Sequence, residues 1–220
     1  MPNMTLNNVD FHDAPKNAGT TVRMWLKHYE QRLPEAADWT GYYSLQSLGL
    51  PASWHNNVMR EPQFFTPGLD GNIRFCIRRD PVDRFISAYT DKILHEKRAP
   101  WSVDTCLSMI ESGEMEQIAR GNGLFKLAAC HFLDQCTWFG PRIDYYDHVF
   151  DIRQMDAVHA FCEEVVFKMP LPRFHARDAT QLGVAKVDLS AAQVRHAERA
   201  FSADYDAGWC PDPSQRKGMT

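Results

Sequence analysis

Metal-binding and membrane-spanning signatures are both missing from this sequence. Its six cysteines, Cys76, Cys106, Cys130, Cys136, Cys162 and Cys210, include no Cys-x-x-Cys pair, and its nine histidines form no cluster at ligand spacing. That argues against a zinc site and against a dense disulfide framework, and buried, reduced thiols are expected instead. No stretch approaches the roughly 18 consecutive apolar residues of a membrane span, and Met1 to Asn8 is polar, so the chain reads as cytoplasmic. A large charge of one sign is also lacking. The formal net charge is -4 and the pI is near 6.1, which disfavours nucleic acid as the principal ligand and means that any anion site must be built locally. There is no internal repeat, low-complexity tract or linker, and 220 residues suit one full-sized core, so a single domain over residues 1–220 is expected.

What is present is an alternation of strand and helix patterns. Asn8 to His12 alternates apolar and polar and stops before Pro15, as a strand entering a loop does. From Thr20, apolar positions at Val22, Trp25, Leu26 and Tyr29 have helical spacing, with a threonine at the start to cap exposed amides. Residues 31–72 have weak periodicity and scattered Gly, Pro and Trp, the composition of a loop-rich region that lines a pocket. Ile73 to Arg78 alternates as a strand, and Pro81 stands where the first turn of a helix tolerates proline. That helix continues through Phe85, Ile86, Tyr89 and Ile93. Helical stretches are also expected at Val103–Ser112, Leu124–Leu133, Met155–Phe167 and Ser190–Phe201, with a strand at His148–Ile152. The pattern predicts an α/β fold, a central mostly parallel sheet flanked by helices, whose ligands bind at the carboxyl ends of the strands.

Two segments lie at such ends. In Pro15-Lys16-Asn17-Ala18-Gly19-Thr20-Thr21 a helix start offers unpaired N–H groups and the positive end of a dipole. Small residues at Ala18 and Gly19 let the backbone approach an anion, while Lys16 and the hydroxyls of Thr20 and Thr21 supply charge and hydrogen bonds. Lys16 precedes the glycine, so this is not a Walker A loop, in which the lysine follows the glycines. The alternative reading is a turn with a solvated lysine. In Arg79-Asp80-Pro81-Val82-Asp83-Arg84-Phe85-Ile86-Ser87-Ala88-Tyr89, Arg79 brings a rigid, permanently charged fork to a helix start, with the Ser87 hydroxyl two turns on. Here the alternative is an Arg/Asp surface network.

In this order the two segments resemble the sulfotransferases that use 3'-phosphoadenosine-5'-phosphosulfate (PAPS), in particular the carbohydrate sulfotransferase branch and its soluble bacterial-type members. The first is similar to that family's 5'-phosphosulfate loop, with a P-loop-like architecture. The second is similar to its 3'-phosphate motif, in which the first arginine and the serine, here Arg79 and Ser87, contact the phosphate. Fainter similarity continues in His131 to Cys136, Tyr145 to Phe150 and Phe201 to Tyr205, and it is patchy between residues 25 and 70, where an acceptor would bind. The tripeptide Arg216-Lys217-Gly218 resembles one in cytosolic sulfotransferases but lacks its surroundings and is set aside.

The resemblance implies transfer of a sulfuryl group from PAPS to a hydroxyl of a saccharide, lipid or small metabolite, without a metal. Lys16, Asn17, Ala18, Gly19, Thr20 and Thr21 would hold the 5' end of the donor, and Lys16 would also stabilise charge during transfer. The attacking hydroxyl must lose a proton, so a general base is needed. His55, ahead of the Arg79 strand, is the first candidate, with His131 and Glu61 as rivals, although a structural histidine is the plainer reading of His131. Trp54, Phe64, Phe65 and Trp138 could stack on an acceptor or pack in a core. Two other functions compete: a small-molecule kinase or related phosphate-binding nucleotide enzyme, and a nucleotide-binding module without turnover.

Overall fold

The computed structural model describes residues 4–29, 71–173 and 183–210. A short strand, β1 (Met4–Leu6), opens the chain and pairs antiparallel with β2 (Val9–His12), Leu6 facing Val9. The two-residue connection, Asn7 and Asn8, has φ of 49° and 61°, the left-handed pair of a tight hairpin turn, which asparagine tolerates better than most residues. The sequence reading misses β1 because three residues are too few for periodicity to show. Helix α1 (Gly19–Tyr29) follows, then β3 (Ile73–Arg78) and α2 (Pro81–Tyr89). Next come α3 (Val103–Glu111), α4 (Glu114–Arg120), α5 (Lys126–Ala129) and α6 (Gln135–Phe139). Strand β4 (His148–Asp151), α7 (Met155–Phe161), α8 (Ala191–Ala200) and α9 (Ser202–Asp206) complete the order.

Several boundaries differ from the sequence expectation. The helix begun at Pro81 widens into π-type turns over Thr90–His95, and α7 does the same over Cys162–Phe167. Of the stretch 124–133 only one α-helical turn forms. Most of the pocket-like stretch 31–72, with His55, Glu61, Trp54, Phe64 and Phe65, lies outside the described residues, as does Arg216-Lys217-Gly218.

The chain divides into two compact units, one comprising Met1–Arg78 with Trp138–Arg177, the other Arg79–Thr137 with Asp178–Thr220. The first holds the sheet, in the order β1-β2-β3-β4, with β2, β3 and β4 parallel to one another and β1 antiparallel at the edge. The expected α/β architecture, a mostly parallel sheet flanked by helices, is therefore what forms. Every residue of β2 is buried, as befits a parallel strand covered on both faces. Phe11 and Phe75 meet at 4.9 Å between ring centroids. They pack in one core with Val22 and Trp25 of α1 and with Val158, Cys162 and Val166 of the α7 stretch. The Trp25 indole N–H donates to the Pro172 carbonyl at 2.9 Å, which satisfies the one polar atom of a large buried side chain.

The second unit is helical. Phe85 of α2 meets Phe132 at 5.7 Å and Phe201 at 6.4 Å. Ser190 caps α8 in a reciprocal box with Gln193, and Ser102 caps α3, each satisfying amide groups that a helix start leaves unpaired.

Candidate functional site

In the first unit, the loop between β2 and α1 carries the residues that the sequence pattern suggests for an anion. Lys16 and Ala18 have φ of 71° and 63° while Asn17 between them does not. Left-handed φ is uncommon outside glycine, and alternation of this kind is the sign pattern of the concave backbone nests that bind anions. The Asn17 side-chain amide donates to the Ile77 carbonyl at 2.9 Å, fastening the loop to the carboxyl end of β3. Asn17 thus has a structural task that its motif position did not reveal.

Helix α1 begins at Gly19, so Thr20 lies inside the first turn and is not the cap that the sequence suggests. The N–H groups of Thr21 and Val22 bond back to the Ala18 carbonyl at 2.9 and 3.3 Å. Gly19 is required by space: a Cβ there would collide with the Asp13 carboxylate. Asp13 is ion-paired with Arg23, and both are buried. The pair is neutral as a unit, which offsets the repulsion a lone carboxylate would exert on an anion in the loop. Burial lowers the Arg23 pKa to about 10, which leaves it charged at neutral pH. The Thr21 hydroxyl is buried and meets no hydrogen-bond partner among the described residues, a cost that a ligand oxygen would remove.

The second unit carries the Arg79 segment. The Asp80 carboxylate caps α2, accepting from the N–H groups of Val82 and Asp83 at 2.9 and 3.1 Å, and Pro81 takes the first helical turn. Arg79 and Ser87 are both half-buried, Ser87 in the last turns of α2. Arg84 is 1% exposed and serves the interior: its guanidinium donates to the carbonyls of His131 and Leu133 and lies 5.5 Å from the Phe201 ring centroid. Burial lowers its pKa, opposed by the Asp204 and Asp134 carboxylates. Asp134 in turn is pushed up to about 7 by burial and by Asp204, against the pull of Arg84.

Gln135 and Asp204 are residues that sequence reasoning left without a role. Gln135 brackets the Arg79 backbone, accepting from its N–H and donating to its carbonyl, each at 2.9 Å. Asp204 accepts from the Gln135 amide at 3.3 Å and from the Cys136 N–H at 2.9 Å. The faintly similar segments 131–136 and 201–205 thus come together around Arg79. His131, the rival base, is half-buried, and its backbone carbonyl accepts from Arg84. Trp138 is buried in the first unit. No group of three or more His, Cys, Asp or Glu able to hold a metal occurs among the described residues. Nor is any helix there long and apolar enough to cross a membrane.

A family model described as "Sulfotransferase family" matches residues 17–162. The match covers more than half of the chain, including Asn17 to Thr21, Arg79, Ser87 and Gln135, and the chain belongs to the sulfotransferase family. No curated protein and no solved structure matches it.

Proposed function

We propose that the chain transfers a sulfuryl group from PAPS to a hydroxyl of a saccharide, lipid or small metabolite, in the manner of the carbohydrate sulfotransferase branch. The observation that carries this reading is the pair of segments, Pro15–Thr21 and Arg79–Tyr89, standing at helix starts within a sulfotransferase-family chain. The nest-like φ pattern at Lys16 and Ala18 and the buried hydroxyl of Thr21 support an anion at the first segment. Residues 16–21 are assigned to the 5'-phosphosulfate, and Arg79 with Ser87 to the 3'-phosphate.

In the reaction, the acceptor oxygen bonds to sulfur as the bond from sulfur to the 5'-phosphate oxygen breaks. The hydroxyl proton passes to a base, and 3'-phosphoadenosine-5'-phosphate (PAP) leaves. Like phosphoryl transfer, this step depends on positioning and on stabilising charge, the work assigned to Lys16 and the helix-start amides. His55 is assigned as base, ahead of His131 and Glu61, because it precedes the Arg79 strand in the stretch expected to line a pocket, and a histidine suits a proton acceptor that needs a pKa near neutrality.

The test is thermal stabilisation by PAP, by AMP and by Mg-ATP, followed by sulfate transfer from labelled PAPS to an acceptor panel. A ligand at a hundredfold excess over Kd stabilises the native state by about 2.7 kcal/mol. PAP should raise Tm more than AMP does, Arg79→Ala should abolish that difference, and Lys16→Ala and His55→Ala should each remove transfer. Stabilisation by Mg-ATP alone would overturn the reading in favour of a kinase. PAP binding without transfer to any acceptor would favour an inactive nucleotide-binding module.

A further inference from the structure

Arg79 lies between the end of β3 and the Asp80 cap of α2, where its backbone N–H and carbonyl both need partners. A single side chain supplies both. The Gln135 carboxamide accepts from the Arg79 N–H and donates to the Arg79 carbonyl, each at 2.9 Å, in the manner of one rung of a ladder. Gln135 is 0% exposed. Its amide also donates to Asp204, likewise 0% exposed, at 3.3 Å. Because Asp204 accepts a second bond from the Cys136 N–H at 2.9 Å, the carboxylate fixes which end of the carboxamide is NH2 and which is oxygen. Burial raises the Asp204 pKa, and the Arg84 guanidinium opposes that shift. With every polar atom of the Gln135 carboxamide and the Asp204 carboxylate bonded, this buried pair rigidifies the groups it holds.

From this we propose that Gln135, oriented by Asp204, is a positioning residue for phosphate recognition: by fixing the Arg79 peptide on both sides it sets the direction in which the guanidinium leaves the backbone. The inference rests on the assignment of Arg79 to the 3'-phosphate. A residue with this role governs selectivity for the 3'-phosphate and leaves recognition of the rest of the nucleotide alone. A purely structural residue would lower stability and weaken all nucleotides together.

The experiment compares dissociation constants for PAP and AMP, which differ in the 3'-phosphate, in wild type, Gln135→Met and Arg79→Ala. Methionine keeps the length of the side chain and removes both hydrogen bonds. The PAP-over-AMP preference should fall about tenfold or more in Gln135→Met, with AMP affinity unchanged. Wild-type preference in a folded Gln135→Met overturns the positioning role, and the donor assignment stands if Arg79→Ala still abolishes the preference. Equal affinities for PAP and AMP in wild type would instead remove the assignment of Arg79 and the proposal with it. Should Gln135→Met not fold, Gln135→Glu decides. It keeps an acceptor for the Arg79 N–H but loses the amide donor, so it should show a partial loss, and an unchanged preference there counts equally against the proposal.

Discussion

At the scale of single residues, Gly19 shows how a motif glycine can be required for space rather than for conformation. Its φ is not left-handed, whereas those of Lys16 and Ala18 are. The constraint comes from the Asp13 carboxylate, which occupies the volume a Cβ would take and is itself held by Arg23. Since Asp13 is packed and paired, it can yield to a methyl group only by straining its ion pair or shifting the loop. Gly19→Ala is therefore expected to destabilise the protein by about 1–3 kcal/mol, the usual cost of overpacking, and to weaken PAP binding at least tenfold. Urea unfolding and calorimetric titration would check both effects, and wild-type values of both would show that the loop accommodates the methyl group freely.

At the scale of elements, the middle of α2, the start of α6 and α9 are joined by charge balance. Asp134 keeps its proton up to about pH 7 in the folded protein, while its ordinary pKa is 3.8. The folded state thus binds more protons than the unfolded one between these values, and this group's contribution to stability falls as pH rises through that window. Asp134→Asn, a permanently neutral mimic, should gain stability relative to wild type between pH about 5 and about 8, by up to about 4 kcal/mol before screening at its partly exposed side chain. A difference between the two proteins that stays constant with pH would overturn the assignment. This network also marks the limit of what the sequence discloses. Strand and helix existence was legible from sequence pattern, in Val103–Glu111 because one buried face imposes helical spacing and in Ile73–Arg78 because apolar residues alternate, although its four middle residues are all buried. The place of residues 15–21 in a loop between a strand and a helix was legible as well. The Asn17 tether, the Arg79 bracket and the partners of Arg84 were not, since each joins residues 47 or more apart in the chain, and no local pattern encodes which distant carbonyl a side chain will reach.

At the scale of the whole molecule, the same six cysteines that give no metal or disulfide pattern in the sequence are all free thiols in the structure. Cys76, Cys106 and Cys162 are 0% exposed and behave as small apolar core residues. Burial raises the thiol pKa to about 12 at Cys106 and Cys162 and to about 11 at Cys130, and raises those of Cys76 and Cys136 as well. Thiolate is the reactive form, so all five sulfurs are protected by protonation, and Cys76, Cys106 and Cys162 by burial as well, while Cys130 and Cys136 are only half-buried. Stability must then come from packing and hydrogen bonding rather than from cross-links, and it should not depend on reductant. Titration with a thiol reagent at pH about 8 should modify none of these five quickly in the native protein, and unfolding in denaturant should release all six at once, with or without prior reduction. Fast native labelling at Cys130 or Cys136 would mean that thiolate forms at these half-buried sites more readily than their raised pKa allows. Fewer than six thiols without reduction would mean that a disulfide forms in place of the free pairs.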